Sequence, residues 1–95
     1  MPVIFSIRGE NRAVFEDGEC FRRGIRADRP VTDAEIEQMK PNMTHHFRCV
    51  DDDGMTYFWG VCNEKSFAPL DMVGYSYGCT EIHYKDEKTG RFERL

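Results

Sequence analysis

Residues 45–62 decide the fold and read His45-His46-Phe47-Arg48-Cys49-Val50-Asp51-Asp52-Asp53-Gly54-Met55-Thr56-Tyr57-Phe58-Trp59-Gly60-Val61-Cys62. Two runs rich in aromatic and β-branched residues flank an acidic turn, which is typical of an antiparallel β-hairpin. Asp53-Gly54 is a favoured pair for a two-residue type I′ turn. The predicted cross-strand pairs are Val50 with Tyr57, Cys49 with Phe58, Arg48 with Trp59, Phe47 with Gly60, His46 with Val61 and His45 with Cys62.

The alternation of side chains along these two strands predicts a core face and a second, amphipathic face. The core face holds Phe47, Cys49, Phe58 and Cys62. The second face holds His46, Arg48, Val50, Tyr57, Trp59 and Val61. Because Arg48 lies opposite Trp59 in this register, its guanidinium can stack on the indole. Trp, Tyr and Arg are also the residue types enriched at binding hot spots.

Three interpretations of the second face remain open at this point. It is a protein-docking surface, or a second half of the core beneath a helix at 33–40, or a stacking platform for single-stranded nucleic acid. The last requires a basic groove, whereas residues 32–64 hold seven acidic residues and two basic ones. We therefore expect no direct binding of nucleic acid.

A short helix is predicted over residues 33–40. Thr32 is a good N-cap, and Glu35 has the spacing that completes a capping box with it. Pro41 cannot continue the helix, which therefore ends near residue 40. A helix of about two turns is marginal alone, so we expect Ile36, Met39 and Met43 to anchor it to the rest of the domain.

The remaining strands are predicted from shorter patterns. Residues 80–85 and 91–95 form a C-terminal hairpin around a loop Lys88-Thr89-Gly90, in which Glu87 pairs with Arg91 and Lys85 with Glu93. Residues 3–8 form another strand, with residues 13–16 as a possible partner. Residues 63–78 form a long connection with one helical turn. The prediction is an α+β fold in a single domain over 1–95: a mostly antiparallel sheet of four to six strands, with hairpins at about 45–62 and 80–95, and one or two short helices.

Length and composition limit the possible classes of protein. Ninety-five residues with 40% hydrophobic content suit one domain. No apolar run is long enough to cross a membrane, and no secretory signal is evident, so we expect a cytoplasmic protein without a membrane partner. The net charge of −4 argues against a general polyanion binder.

The four cysteines are expected to be free, structural thiols. No Cys-x-x-Cys pair occurs, and Cys49 and Cys62 lie about 13 Å apart along the predicted ladder, too far for a disulfide. Cys79 and His83 are separated by about the same distance on one strand. That separation excludes a local metal pair or a Cys-His dyad of these two residues. We therefore predict no metal, no cofactor and no catalytic residues.

The first residues allow an enzymatic alternative. A strand that begins Pro2-Val3-Ile4 resembles the start of the small tautomerases, and the resemblance covers the first eight residues. It implies that Pro2, exposed as the amino terminus when Met1 is removed, acts as a general base. That family continues with a long amphipathic helix, for which this chain has no clean pattern through residue 28. A further alternative is a small-ligand-binding domain around Tyr75 and Tyr77.

The main hypothesis is a non-enzymatic domain that binds another protein. The candidate partner-binding residues are His46, Arg48, Tyr57 and Trp59, with the adjacent acidic residues Asp51, Asp52 and Asp53. In a more specific version, the acidic residues occupy the basic nucleic-acid-binding surface of the partner. The chain would then be an inhibitor of a nucleic-acid-binding or anti-phage defence protein.

Overall fold

The computed structural model describes residues 2–15 and 24–95, and these residues build a six-stranded antiparallel sheet. The strands are β1 (Ile4–Glu10), β2 (Ile25–Ala27), β3 (His45–Val50), β4 (Thr56–Cys62), β5 (Glu81–Lys85) and β6 (Phe92–Arg94). Their order across the sheet is β2-β1-β4-β3-β5-β6. Together with two short helices, the sheet confirms the predicted α+β fold.

The helix α1 (Asp33–Met39) begins where the capping box predicts. The Thr32 hydroxyl accepts a hydrogen bond from the Glu35 amide at 3.2 Å, and the Glu35 carboxylate accepts one from the Thr32 amide. The helix ends at Met39, one residue earlier than predicted, because a 3₁₀ turn takes over at Lys40–Asn42. Of the three predicted anchors, Met39 is buried, whereas Ile36 and Met43 are half-buried.

The long connection contains more helix than predicted. The helix α2 (Ala68–Met72) is followed by a 3₁₀ turn at Gly74–Tyr77. Both pack on one face of the sheet through Leu70 and Val73, which belong to the main buried cluster. No helix in the described parts of the chain is long and apolar enough to cross a membrane.

The core lies between α2 and the covered face of the sheet. Phe47 stands at its centre, with ring centroids 6.1 Å from Phe5, 6.3 Å from Phe58 and 6.1 Å from Tyr84. The predicted core residues Phe47, Cys49, Phe58 and Cys62 are all 0% exposed. The alternation in the central hairpin therefore assigned its core face correctly.

The register of the central hairpin is confirmed for five of the six predicted pairs. The sixth is wrong, because Val50 pairs with Thr56 and a bulge leaves Tyr57 without a partner in the ladder. The turn between these strands also differs from the predicted two-residue type I′ turn. A type I′ turn needs positive φ at both central residues, but among the described residues only glycines have positive φ. Gly54 (φ 80°) therefore ends a three-residue loop that begins at Asp52.

Asp51 explains this choice of turn. Its Oδ1 accepts hydrogen bonds from the amides of Asp53 at 3.0 Å and Met55 at 2.9 Å. An aspartate that bonds to the backbone two residues on is a common way to stabilise a turn. The two bonds hold a loop one residue longer than predicted, which shifts the next cross-strand pair.

The C-terminal hairpin also has a longer loop than predicted. Asp86 donates its amide to the carbonyl of Arg91, so that a four-residue loop separates the two, and Gly90 keeps the positive φ of 71°. Consequently Lys85 pairs with Phe92. The predicted pairs of Lys85 with Glu93 and of Glu87 with Arg91 are wrong. The Asp86 carboxylate, which accepts from the Lys88 amide at 2.7 Å, stabilises this loop.

The predicted partner of the first strand is wrong as well. Ala13 and Val14 lie in a turn, and Glu16 lies outside the described residues. The strands that pair with β1 are β2 and β4. Residue alternation could not identify β2, which has only three residues.

Candidate docking face

The sheet has a second face opposite the core, which we call the open face. On the central and C-terminal strands its exposed and half-buried residues are His46, Arg48, Trp59, Glu81, His83, Lys85, Phe92 and Arg94. Val50 and Val61, which were also predicted on this face, are buried. Five residues form one row across neighbouring strands, which we call the cross-strand row: Gly9, Trp59, Arg48, His83 and Arg94. The row brings together residues that are far apart in the sequence.

Trp59 lies over Gly9 of β1. A Cβ atom at Gly9 would stand only 2.5 Å from the indole Cε2 and Cζ2 atoms, so the ring occupies the space that a side chain would fill. The side chain is nevertheless 42% exposed. Trp59 is thus supported by the backbone of the neighbouring strand while much of its surface faces solvent.

Arg48 does not stack on Trp59, and that prediction is wrong, although the two residues are cross-strand partners. Its guanidinium carbon lies 4.7 Å from the ring centroid of Phe92, and its Nε lies 3.4 Å from Nδ1 of His83. These contacts come from β5 and β6. Arg48 therefore contacts the ring of Phe92 and the ring nitrogen of His83 instead of the indole of Trp59, which lies over Gly9.

The contact with Arg48 determines the tautomer of His83. A guanidinium only donates hydrogen bonds, so Nδ1 of His83 accepts, and the proton of the neutral ring is on Nε2. Nε2 lies 3.4 Å from Oε1 of Glu81, and the same oxygen lies 3.3 Å from Nε of Arg94. A continuous chain of polar contacts therefore runs along the open face from Arg48 to Arg94.

The open face is basic although the whole chain carries a net charge of −4. On β3, β5 and β6 its residues include three cations and one carboxylate: Arg48, Lys85, Arg94 and Glu81. His46, which is exposed, adds an imidazole beside them. The count of charges along the sequence did not reveal this, because the cations come from three separate segments.

Tyr57 does not belong to the open face, which corrects the prediction. The bulge turns it towards the core side, where it packs edge-on against Phe15 at 5.7 Å between ring centroids. Desolvation, followed by the charge and a hydrogen bond of Asp51, raises the pKa of Tyr57. Its hydroxyl therefore stays protonated at neutral pH.

The acidic residues of the central turn divide into two kinds. Asp51 is partly buried, and its carboxylate is engaged by the backbone of its own loop. Asp52 and Asp53 are exposed at the tip of the hairpin. Only these two present free carboxylates to a partner.

The described cysteines are buried, free thiols: Cys49, Cys62 and Cys79. Burial is the main cause that raises their pKa values, to about 11 for Cys79. Such thiols are protonated at neutral pH and are poor nucleophiles. In residues 2–15 and 24–95, no group of three or more His, Cys, Asp or Glu side chains could hold a metal ion. Cys20 lies outside the described residues.

The structure gives the positions of Pro2, named in the tautomerase-like alternative, and of Tyr75 and Tyr77, named in the small-ligand alternative. Pro2 is buried, and its carbonyl accepts a hydrogen bond from Nδ2 of Asn63 at 3.1 Å. Tyr75 is 60% exposed, whereas Tyr77 packs edge-on against Phe15.

Sequence reasoning missed Glu81, His83, Phe92 and Arg94 as members of the candidate face. Alternation placed Glu81 and His83 on one face, but the predicted pairing of Lys85 with Glu93 put Phe92 and Arg94 on the other. Nothing local indicated that β5 pairs with β3. No family model, curated protein or solved structure matches this chain. The candidate function therefore depends on the geometry of the open face.

Proposed function

We propose that this chain is a cytoplasmic, non-enzymatic domain that binds another protein through the open face of its sheet. The observation that carries the proposal is that Trp59 is 42% exposed beside the half-buried Arg48 on the open face. Trp and Arg are the residue types that most often supply a large share of the energy of a protein interface.

Both side chains are held before a partner arrives. Gly9 supports the indole, while Phe92 and His83 hold the guanidinium. A side chain that is already ordered loses little conformational entropy when it binds, which favours affinity. This support distinguishes the pair from an aromatic residue that is exposed by chance.

The more specific version, an acidic inhibitor of a nucleic-acid-binding or anti-phage defence protein, has narrower support. It draws on the exposed Asp52 and Asp53 at the tip of the central hairpin. Asp51 contributes less than expected because its carboxylate stabilises the turn. The tautomerase-like and small-ligand alternatives gain no support from the positions of Pro2, Tyr75 and Tyr77.

A comparison of two exposed aromatic residues tests the proposal. The wild-type chain, Trp59→Ala and Tyr75→Ala are immobilised, and the proteins they retain from a lysate of the source cells are quantified by mass spectrometry. Tyr75, in the 3₁₀ turn after α2, is the matched control because it is also exposed.

We expect at least one protein to be retained by the wild type and by Tyr75→Ala but lost with Trp59→Ala. Circular dichroism and melting temperature should be close to wild type in both variants, because an exposed anchor contributes little to the isolated fold. If the retained proteins are the same for all three chains, the open face is not the docking surface.

A further inference from the structure

The charge of the open face indicates the chemistry of its partner. We propose that the open face binds an acidic peptide segment, whose carboxylates pair with Arg48 and Arg94 while an apolar side chain packs on Trp59. This inference rests on the proposed function. It differs from the inhibitor version, which requires a basic partner surface.

The first argument is the number of free donors. Arg48 directs Nε and Nη2 towards His83, and no described residue engages its Nη1. Arg94 contacts Glu81 through Nε alone, and its side chain is 73% exposed. Guanidinium N–H groups match a carboxylate in geometry and form charge-assisted hydrogen bonds with it.

The second argument is that two acceptors of the face, one on Glu81 and one on His83, are already engaged. Oε1 of Glu81 is shared by His83 and Arg94. Nδ1 of His83 accepts from Arg48. The network thus leaves guanidinium donors of Arg48 and Arg94 available while one oxygen of its carboxylate is already shared, which complements a negatively charged segment.

The third argument distinguishes a peptide from a nucleic acid. Binding of single strands needs a continuous basic groove and several stacking platforms. On the open face Phe92 is covered by Arg48, so among the described residues of the face Trp59 is the one aromatic ring with a large exposed fraction.

Selection from a random peptide library tests the inference. A library of random peptides displayed on phage is selected on the full chain and counter-selected on Trp59→Ala. We expect the enriched peptides to be rich in Asp and Glu around an apolar residue. A synthetic copy of the consensus is then titrated, with the fluorescence of Trp59, the only tryptophan, as the readout.

Charge variants locate the contact. Arg94→Gln and Lys85→Gln should each weaken binding of the acidic peptide by about threefold to tenfold in low salt, and less in high salt. Lys65→Gln is the matched control, because Lys65 is an exposed lysine in the loop before α2, on the covered side. Both tested positions are exposed, so the variants should keep the wild-type melting temperature.

The outcomes separate the two proposals. Enriched peptides that depend on Trp59 but are basic or uncharged overturn the acidic-partner inference and leave the docking face in place. Tighter binding of an oligodeoxythymidylate than of the acidic peptide overturns it as well. If no peptide depends on Trp59, both proposals fail.

Discussion

Gly9 and Trp59 show how a residue without a side chain positions one with a large side chain. Gly9 lies opposite Trp59 at an irregularity in the pairing of β1 with β4. The indole occupies the space where a Cβ would stand, so the identity of residue 9 controls the position of the ring. The exposed surface of Trp59 therefore depends on residues of both β1 and β4.

Replacement of Gly9 by alanine should displace the indole. The added Cβ would lie 2.5 Å from ring atoms, a distance that forces the ring to move. We expect a shift of the Trp59 emission maximum and a loss of about 1 to 2 kcal/mol in the free energy of unfolding, which is typical of overpacking.

A double-mutant cycle is the control for this prediction. In the Trp59→Ala background the Gly9→Ala change has no ring to displace, so most of its cost should disappear. An equal cost in both backgrounds, measured by urea unfolding, would show that Gly9 acts on the backbone and not through Trp59.

At the scale of elements, short-range polar contacts determine where helices begin and how hairpins turn. The capping box of Thr32 and Glu35 starts α1, and the carboxylate of Asp51 shapes the turn between β3 and β4. Each acts within a few residues of its own position. The capping-box motif therefore predicted the start of α1. The length of the loop between β3 and β4, by contrast, depended on which amides the Asp51 carboxylate reaches.

Thr32→Ala should lower the free energy of unfolding by about 1 kcal/mol, because the amide of Glu35 loses its acceptor. Thr32→Ser keeps the hydroxyl and should recover most of the loss. Urea unfolding followed by circular dichroism measures both variants. A serine variant as unstable as the alanine variant would show that the cap does not stabilise α1.

Asp51→Ala should destabilise the central hairpin by about 1 to 2 kcal/mol, since two loop amides lose their acceptor. Asp51→Asn retains an oxygen acceptor and should cost less. Asp52→Ala is the matched control, because Asp52 is exposed at the tip of the same loop. Similar urea midpoints for Asp51→Ala and Asp52→Ala would contradict the role assigned to Asp51.

For the whole molecule, the arrangement of layers determines which sheet face remains open. The Cα extents are 38 × 33 × 17 Å, so the shortest dimension accommodates a sheet and one helical layer. That layer is α2 with its 3₁₀ turn, on the core side. The buried thiols of Cys49, Cys62 and Cys79 belong to this covered side, and the proposed docking residues lie on the open face.

Stability should fall in alkaline solution because of the buried acids of the core. Burial raises the pKa of Cys79 from 9.0 to about 11 and also raises those of Cys49, Cys62 and Tyr84. Above pH 9 the unfolded chain loses thiol protons that the folded chain retains, so unfolding becomes more favourable as the pH rises. Well below pH 9 these thiols are almost fully protonated in both states and contribute little pH dependence.

We therefore expect a urea midpoint that is constant between about pH 7 and 8.5 and decreases from about pH 9 to 11. The decrease should be smaller in Cys79→Ala, which removes one of the titrating groups. A midpoint that is independent of pH up to 11, or a variant with the wild-type slope, would contradict the assignment to buried thiols.

The sequence by itself determined the local features of this protein. Alternation of apolar residues predicted β3, β4 and the C-terminal hairpin, and it separated Phe47 and Phe58 from Arg48 and Trp59. These features follow from backbone periodicity and from contacts within a few residues.

Only the tertiary structure decided what the open face is. The pairing of β5 with β3 brings His83 to Arg48, and β6 then supplies Phe92 and Arg94. The helix α2 packs on the opposite side, and in the described part of the chain Trp59, Lys85 and Arg94 of the open face are exposed. Contacts between distant segments depend on how the whole chain buries its apolar surface, and no local pattern encodes that. The Trp59 side chain was therefore predictable as a member of a face, while its support by Gly9 and its basic surroundings were not.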